Sequence, residues 1–236
     1  MNFAFTYIYS DIFDMGSILS YSIKKYHKNS KIIQISDQKT KKIELVDFVE
    51  RFNFNKSQFI FDSMKSKREI LNKYGPTIFL DADMFLLDSI EDFFNDSKFN
   101  FSITLRPLNQ HDRIIKDTKI HREKFPELIN KKLNVEMPVN AGIFFCKNIE
   151  LMDYMISVFN VMTKNYYRWY GDQIALRELL KKHKKDIKIF DGDIFNYTPT
   201  SIMDKIDNKK VLHFKGGNRK LMLFEMAKKI YGDMKF

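Results

Sequence analysis

The 236-residue chain has a single cysteine, Cys146. That excludes an internal disulfide framework and any cysteine-based zinc site. No run approaches the roughly 18 consecutive apolar residues of a spanning helix. The N-terminal stretch MNFAFTYIYSD has no basic region and no small-residue cleavage site, so no secretory leader is expected and the plain expectation is a cytoplasmic protein. There is also no GxGxxG or other phosphate-binding Gly-rich loop, no GxSxG elbow and no HExxH, the short signatures that carry dinucleotide, P-loop, serine-hydrolase and zincin chemistry. No repeat, low-complexity tract or linker divides the sequence. Residues 1–236 therefore read as one domain, long enough to bury a full core. Acids are outnumbered, 30 against 40 Lys and Arg, for a net charge of +10. Such a balance favours anionic partners. The lysines are scattered, with the densest groups at Lys39–Lys42, Lys181–Lys185 and from Lys209 onward. This pattern describes a solvated surface rather than a nucleic-acid-binding face.

What is present alternates between strand and helix patterns. Phe3–Tyr9, Lys31–Ser36, Ile43–Val49, Phe59–Phe61, Asn100–Leu105 and Val211–Phe214 read as strands or short strand pieces. Gly16–Tyr26, Met64–Tyr74, a segment opened by Asn148 and striped by Leu151, Met155, Val158, Phe159 and Met162, a helix begun near Asp172, and Leu221–Tyr231 read as helices. The alternation predicts an α/β fold with a mostly parallel sheet flanked by helices. Ligands bind such sheets at the carboxyl ends of the strands.

The segment TIFLDADMFLL, residues 77–87, places two carboxylates, Asp81 and Asp83, at the end of an apolar strand. Residues i and i+2 of a strand share a side, so the two charges would emerge together. They repel each other and are costly to desolvate. A divalent cation that takes oxygen ligands resolves the conflict; a solvated surface turn is the plainer alternative.

Three further segments draw attention. MPVNAGIFFCKN places Asn140, Ala141 and Gly142 before a buried run, either as a tight turn or as a backbone that a hydroxyl-rich ligand can approach. WYGDQIALREL puts Asp172 and Gln173 beside Trp169 and Tyr170 at a helix start, suited to sugar recognition or simply to helix capping. His213 ends an apolar strand beside Gly216 and Gly217, as a core histidine or as a metal ligand. His111, His121 and His183 lie in charged segments and are expected to face solvent.

Taken together, DAD at 81–83, NAG at 140–142, DQ at 172–173 and HFKG at 213–216 resemble, in type and order, the motifs of GT-A glycosyltransferases, nearest to the group of glycogenin and the bacterial lipopolysaccharide galactosyl- and glucosyltransferases. The resemblance implies a GT-A, Rossmann-like fold with the DxD at the end of a central strand. It implies transfer of a sugar from a nucleotide sugar, usually a UDP-sugar, with Mn²⁺ or Mg²⁺ and with retention at the anomeric carbon. Asp81, Asp83 and His213 would hold the metal, with Ala82 between the carboxylates. Tyr7 and Tyr9 would cradle the base, and Lys65 would contact the donor. Asn140, Ala141, Gly142, Asp172 and Gln173 would line the sugar pocket, with Asp172 and Gln173 nearest the reacting carbon. Gly216, Arg219 and Lys220 would form the phosphate clamp, with Arg219 in the position of the group's clamp lysine. Here the chain departs from the pattern, since Gly217-Asn218-Arg219-Lys220 replaces its Lys-Pro-Trp tail. Residues 1–105 would serve the nucleotide, and 106–236 the sugar and the acceptor, a glycan, lipid-linked or protein acceptor that the sequence does not name.

Two other readings compete. A sugar-nucleotide nucleotidyltransferase needs the same metal logic, but normally carries a Gly-rich basic loop where this chain has Ser10-Asp11-Ile12-Phe13-Asp14-Met15-Gly16. A nucleic-acid-binding module leaves Asp81 and Asp83 unexplained, and no nucleic-acid partner is expected. The C-terminal set Lys215, Arg219, Lys220, Lys228, Lys229, Lys235 and Phe236 predicts peripheral contact with an anionic membrane.

Overall fold

The computed structural model describes residues 1–8, 14–110 and 113–232, the side chains of residues 109, 217 and 218 excepted. Tyr9, His111, Lys235 and Phe236 lie outside the described residues. In chain order the elements are β1 (Asn2–Thr6), α1 (Met15–Tyr26), β2 (Lys31–Ser36), β3 (Phe48–Arg51), α2 (Phe59–Tyr74), β4 (Thr77–Asp81), β5 (Met84–Leu86), β6 (Phe101–Leu105), the short α3 (Lys119–Lys124) and α4 (Leu133–Glu136), β7 (Val139–Cys146), α5 (Ile149–Asn160), α6 (Gly171–Lys182), β8 (Ile187–Phe190), the short α7 (Gly192–Phe195), β9 (Val211–His213) and α8 (Gly217–Tyr231).

Seven strands form one sheet in the order β3-β2-β1-β4-β7-β6-β8. All neighbours run parallel except β7, which is antiparallel to both β4 and β6. The central strands are covered on both faces, so their sequences read as continuous apolar runs rather than alternating ones. Side chains still sort by parity. Phe3 and Phe5 of β1, Ile78 and Leu80 of β4, and Ile143 and Phe145 of β7 fill one core. Ala4, Phe79 and Phe144 point the other way, under α2, α5 and α6.

The antiparallel strand matters for the site. Because β7 runs against β4, its beginning lies beside the end of β4, with Leu80 opposite Ile143. That brings Asn140–Gly142 next to Asp81. The pairing of β6 with β7 jumps from Phe144 to Asn140 between Ile103 and Thr104, a bulge that turns this strand end toward the cleft. A separate two-stranded ribbon pairs β5 with β9, Met84 opposite His213. Phe214 N–H donates to Asp83 C=O at 2.9 Å. This ribbon carries His213 to the acidic turn from 130 positions further along the chain.

Several sequence expectations need correction. Phe59–Phe61 is not a strand piece but the first turn of α2, where Asp62 accepts from Asn55 N–H and Gln58 Nε2. The third strand lies at Phe48–Arg51 rather than Ile43–Val49, because Ile43 to Val46 closes a turn and Asp47 is drawn to the start of β2 by Ile32 N–H. The acidic pair is not in one continuous strand either: β4 stops at Asp81, Ala82 and Asp83 turn, and the chain resumes in the other sheet. Asp172 does not cap its helix. The cap is Tyr170 in a left-handed conformation, φ 65°, and the Asp172 carboxylate accepts from Gln173 N–H at 2.8 Å within the first turn. Among the described residues, no helix is long and apolar enough to cross a membrane.

Candidate active site

At the carboxyl end of β4, His213 Nε2 lies 3.5 Å from Asp81 Oδ2 and 3.2 Å from Asp83 Oδ1. One ligand atom from each of the three residues falls within 4.8 Å of the other two. The orientation of the imidazole is set from behind. Asn196 Nδ2 donates to Thr104 Oγ1 at 2.8 Å, which aims the Asn196 carbonyl oxygen at His213 Nδ1, also at 2.8 Å. A carbonyl can only accept, so Nδ1 carries a proton; Nε2 faces the carboxylates, donating to Asp83 when protonated and offering its lone pair to a cation when not. Burial pushes the Asp81 carboxyl up to about 6, with His213 and Lys67 opposing the rise. Asp83 is also desolvated, but the charge and hydrogen bond of His213, together with Lys220, hold it below the usual carboxylate range. An imidazole and two carboxylates with converging lone pairs, the imidazole fixed by an outer hydrogen bond, form a donor set that fits a divalent cation.

Two cavities flank this cluster. The first, about 280 Å³, is lined by Tyr7 from the end of β1, Lys67 from α2, Asp81, Asp83, Asp172 and Lys220, among others. The second, about 690 Å³, is lined by Arg106, Gln110, Arg113, Tyr170, Gln173 and Lys215, among others. Asp172 and Gln173 are consecutive at the start of α6, yet each lines a different cavity. The boundary between the cavities therefore falls at these two side chains. Burial raises the Asp172 carboxyl, while Lys67 and the Gln173 amide oppose that rise. Gln173 Oε1 accepts from Arg106 Nη2, and Arg106 also donates to Met137 C=O and Gln110 Oε1. Burial, with Arg113 beside it, lowers Arg106 to about 10. Burial lowers Lys215 to about 7, Arg106 adding to the effect and Asp81 and Asp83 resisting it.

The sequence-predicted residues separate on inspection. Asn140 is buried, its Oδ1 accepts from Gly142 N–H at 3.1 Å, and its Nδ2 has no partner among the described residues. A buried amide nitrogen without an acceptor is costly, but Asn140 lines neither cavity. Ala141 is buried beside it. Ala82 lines the first cavity. Lys65 does not: its side chain is 51% exposed and pairs with Asp62 at 3.7 Å. Two residues along a helix is about 200° of rotation, and it is Lys67 that faces the carboxylates. Arg219 turns back, its Nη1 donating to Lys215 C=O at 3.0 Å, while Lys220 lines the first cavity. Gly216 is the exposed cap of α8, at φ 86°, rather than part of a free loop, because the helix begins one residue later. His121 is half-buried: it lines the second cavity, with Nε2 3.1 Å from Tyr170 Oη. Lys215 and Lys220 both face cavities, which removes two cations from the expected membrane face. Sequence reasoning missed Asn196, Lys67 and Lys215. Asn196 had no signal at all, whereas the helical period of α2 offered Lys67 as readily as Lys65.

The sequence matches no family model and no curated protein. The structure does find similar folds. A glycosyltransferase involved in the glycosylation of the major capsid of PBCV-1 superposes with a TM-score of 0.58 at 11% identity, over 94% of this chain and 98% of that one. The galactosyltransferase LgtC, solved in complex with donor and acceptor sugar analogues, gives 0.58 at 12% identity, over 97% of this chain and 96% of that one. An active-site mutant of LgtC gives 0.57. The chain has the GT-A fold. In this GT-A chain the switch from parallel β4 to antiparallel β7 is also the point where Asp81, Gly142 and His213 meet.

Proposed function

We propose that this GT-A chain is a metal-dependent glycosyltransferase that moves a sugar from a nucleotide sugar, taken to be a UDP-sugar, to an acceptor hydroxyl with retention of configuration. The observation that carries the reading is the convergence of Asp81, Asp83 and His213 at the mouth of a cavity that reaches from the end of β1 to Lys220. Nothing in the sheet packing calls for two carboxylates there. A nucleoside diphosphate with a divalent cation does.

In this reading residues 1–105 hold the nucleotide and 106–236 the sugar and acceptor. Asp81, Asp83 and His213 would hold Mn²⁺ or Mg²⁺, which supplies Lewis-acid stabilisation of the departing diphosphate. Tyr7 borders the base. Lys67 and Lys220 add cationic charge around the phosphates as the glycosidic bond breaks. Asp172 and Gln173, at the boundary of the two cavities, flank the anomeric carbon; the carboxylate stabilises positive charge that builds there. The C1–O bond to the diphosphate breaks, the acceptor oxygen bonds to C1 on the same face, and its proton passes to the leaving diphosphate oxygen.

Incubation with a panel of UDP-sugars and Mn²⁺, without acceptor, tests the reading. Slow release of free UDP is expected. Pyrophosphate-dependent formation of nucleoside triphosphate, or UDP affinity that is the same with and without Mn²⁺, would overturn it.

A further inference from the structure

A third cavity, about 290 Å³, opens off the first, since Ile8 and Phe59 line both. It sits past the carboxyl ends of β1 and β2, and its wall includes Phe54, Arg168 and Trp169. Phe54 and Phe59 belong to the approach to α2 and its first residue, whereas Trp169 arrives from the turn before α6. That turn is rigidly mounted. Tyr167 packs on Phe61 of α2 with ring centres 4.6 Å apart. Tyr170 holds φ 65°, and Gly171 is so close to its surroundings that a Cβ there would stand 2.3 Å from Tyr166 C=O. The apolar cluster around Phe125 takes one part of the half-buried indole, and another part forms cavity wall. The Arg168 guanidinium carbon lies 4.4 Å from the indole ring centre, which extends the flat surface. An aromatic wall fixed in advance costs little ordering when a planar ligand stacks on it. The carboxylates and lysines of the first cavity suit a metal-bound diphosphate. From there the second cavity begins at Asp172 and Gln173, on the side of the sugar, and the third leads the other way, toward the nucleoside.

We infer that Trp169, together with Phe59, holds the base of the nucleotide sugar in the third cavity. Tyr7, next to Ile8, then stays at the inner edge of the base. The base is gripped from both halves of the chain, and a residue of the sugar-side half takes part in choosing the donor. This rests on the glycosyltransferase reading for the ligand being a nucleotide, but base binding is measured without turnover.

Trp169 is the chain's single tryptophan, so its fluorescence reports on this wall directly. The intact chain with Mn²⁺ is titrated with UDP and, as a probe without a base, with inorganic pyrophosphate, each followed by calorimetry and by tryptophan emission. UDP is expected to quench the emission with the same midpoint as the heat, and pyrophosphate to bind without changing it. Trp169→Leu should weaken UDP about tenfold or more, the size of a lost base stack, and leave pyrophosphate affinity unchanged. Trp169→Phe, which keeps an aromatic face, should retain most of the UDP affinity. UDP binding that leaves the emission unchanged, UDP affinity untouched in Trp169→Leu, or equal losses of UDP and pyrophosphate in a Trp169→Leu chain of unaltered melting temperature would overturn the inference. Should Trp169→Leu not fold, the wild-type emission and Trp169→Phe decide. Failure of the enzyme reading looks different: neither UDP nor pyrophosphate binds the wild type more tightly with Mn²⁺ than without.

Discussion

Gly142 has no side chain because the imidazole of His213 occupies that space: a Cβ built on Gly142 would overlap both Cε1 and Nδ1 of the ring. The glycine of the Asn140-Ala141-Gly142 segment thus makes room for a candidate metal ligand from another sheet, where the sequence suggested close approach of a sugar. It follows that Gly142→Ala must push the imidazole off the Asp81–Asp83 axis. Mn²⁺-dependent UDP binding is expected to fall tenfold or more, with a stability loss of about 1–3 kcal/mol from overpacking. Calorimetry with and without Mn²⁺ decides the matter, and retention of the full metal effect would show that His213 is not a ligand.

Asn196 has the complementary role, since its carbonyl holds His213 Nδ1. Asn196→Leu removes the acceptor while keeping the volume. Metal affinity should drop about 10–100-fold, the usual cost of losing an outer-shell partner. Asn196→Asp, which can still accept, should recover most of it. If Leu and Asp behave alike, the hydrogen bond does not orient the ring.

For the proposed phosphate clamp, Lys220 is the better placed of two neighbours. Lys220, not Arg219, lines the cavity, and Arg219 is tied to the Lys215 carbonyl. Turnover of a UDP-sugar should fall more in Lys220→Ala than in Arg219→Ala, with a smaller effect on donor affinity than on turnover, because the charge it meets is largest as the bond breaks. The reverse order in steady-state kinetics would restore Arg219.

The same logic separates two lysines of α2. Lys67→Ala should weaken UDP-sugar binding severalfold or more, whereas Lys65→Ala should change it little, since the exposed Lys65–Asp62 pair is worth at most about 1 kcal/mol. Equal effects in a binding titration would mean that α2 is rotated relative to the arrangement described here.

Cys146 ends β7 inside the core, and burial pushes its thiol up from 9.0 to about 12. The unfolded thiol ionises near its ordinary value, so its contribution to stability is whole below about 9 and is lost as pH rises toward 12. The melting temperature of the wild type should therefore decline more steeply between pH 9 and 11 than that of Cys146→Ala. Parallel slopes would remove the thiol from the alkaline transition.

Much of the fold was legible in the sequence where one segment carries its own pattern. β2 and the end of α2 at Gly75 came from local apolar periodicity and a left-handed glycine, which neighbours in the chain specify. The DxD was legible for a related reason: two carboxylates interrupting an apolar run are a local conflict that calls for a cation. The true position of β3 and the helical start at Phe59 were not legible, because Ile43 and Phe59 are apolar in either conformation and packing decides between them.

At the site, chain order gave the residue types, and tertiary structure gave their partners. Asp81 and Asp83 announce themselves, but only the antiparallel run of β7 sets Gly142 beside them, and only the β5–β9 ribbon sets His213 against Gly142. Which cation faces the cavity depends on helix rotation. One position turns a helical side chain by about 100°, so Lys67 rather than Lys65, and Lys220 rather than Arg219, follow from how α2 and α8 pack. Asn196, silent in the sequence, gains its role from a hydrogen bond that exists only once Thr104 and His213 lie on either side of it.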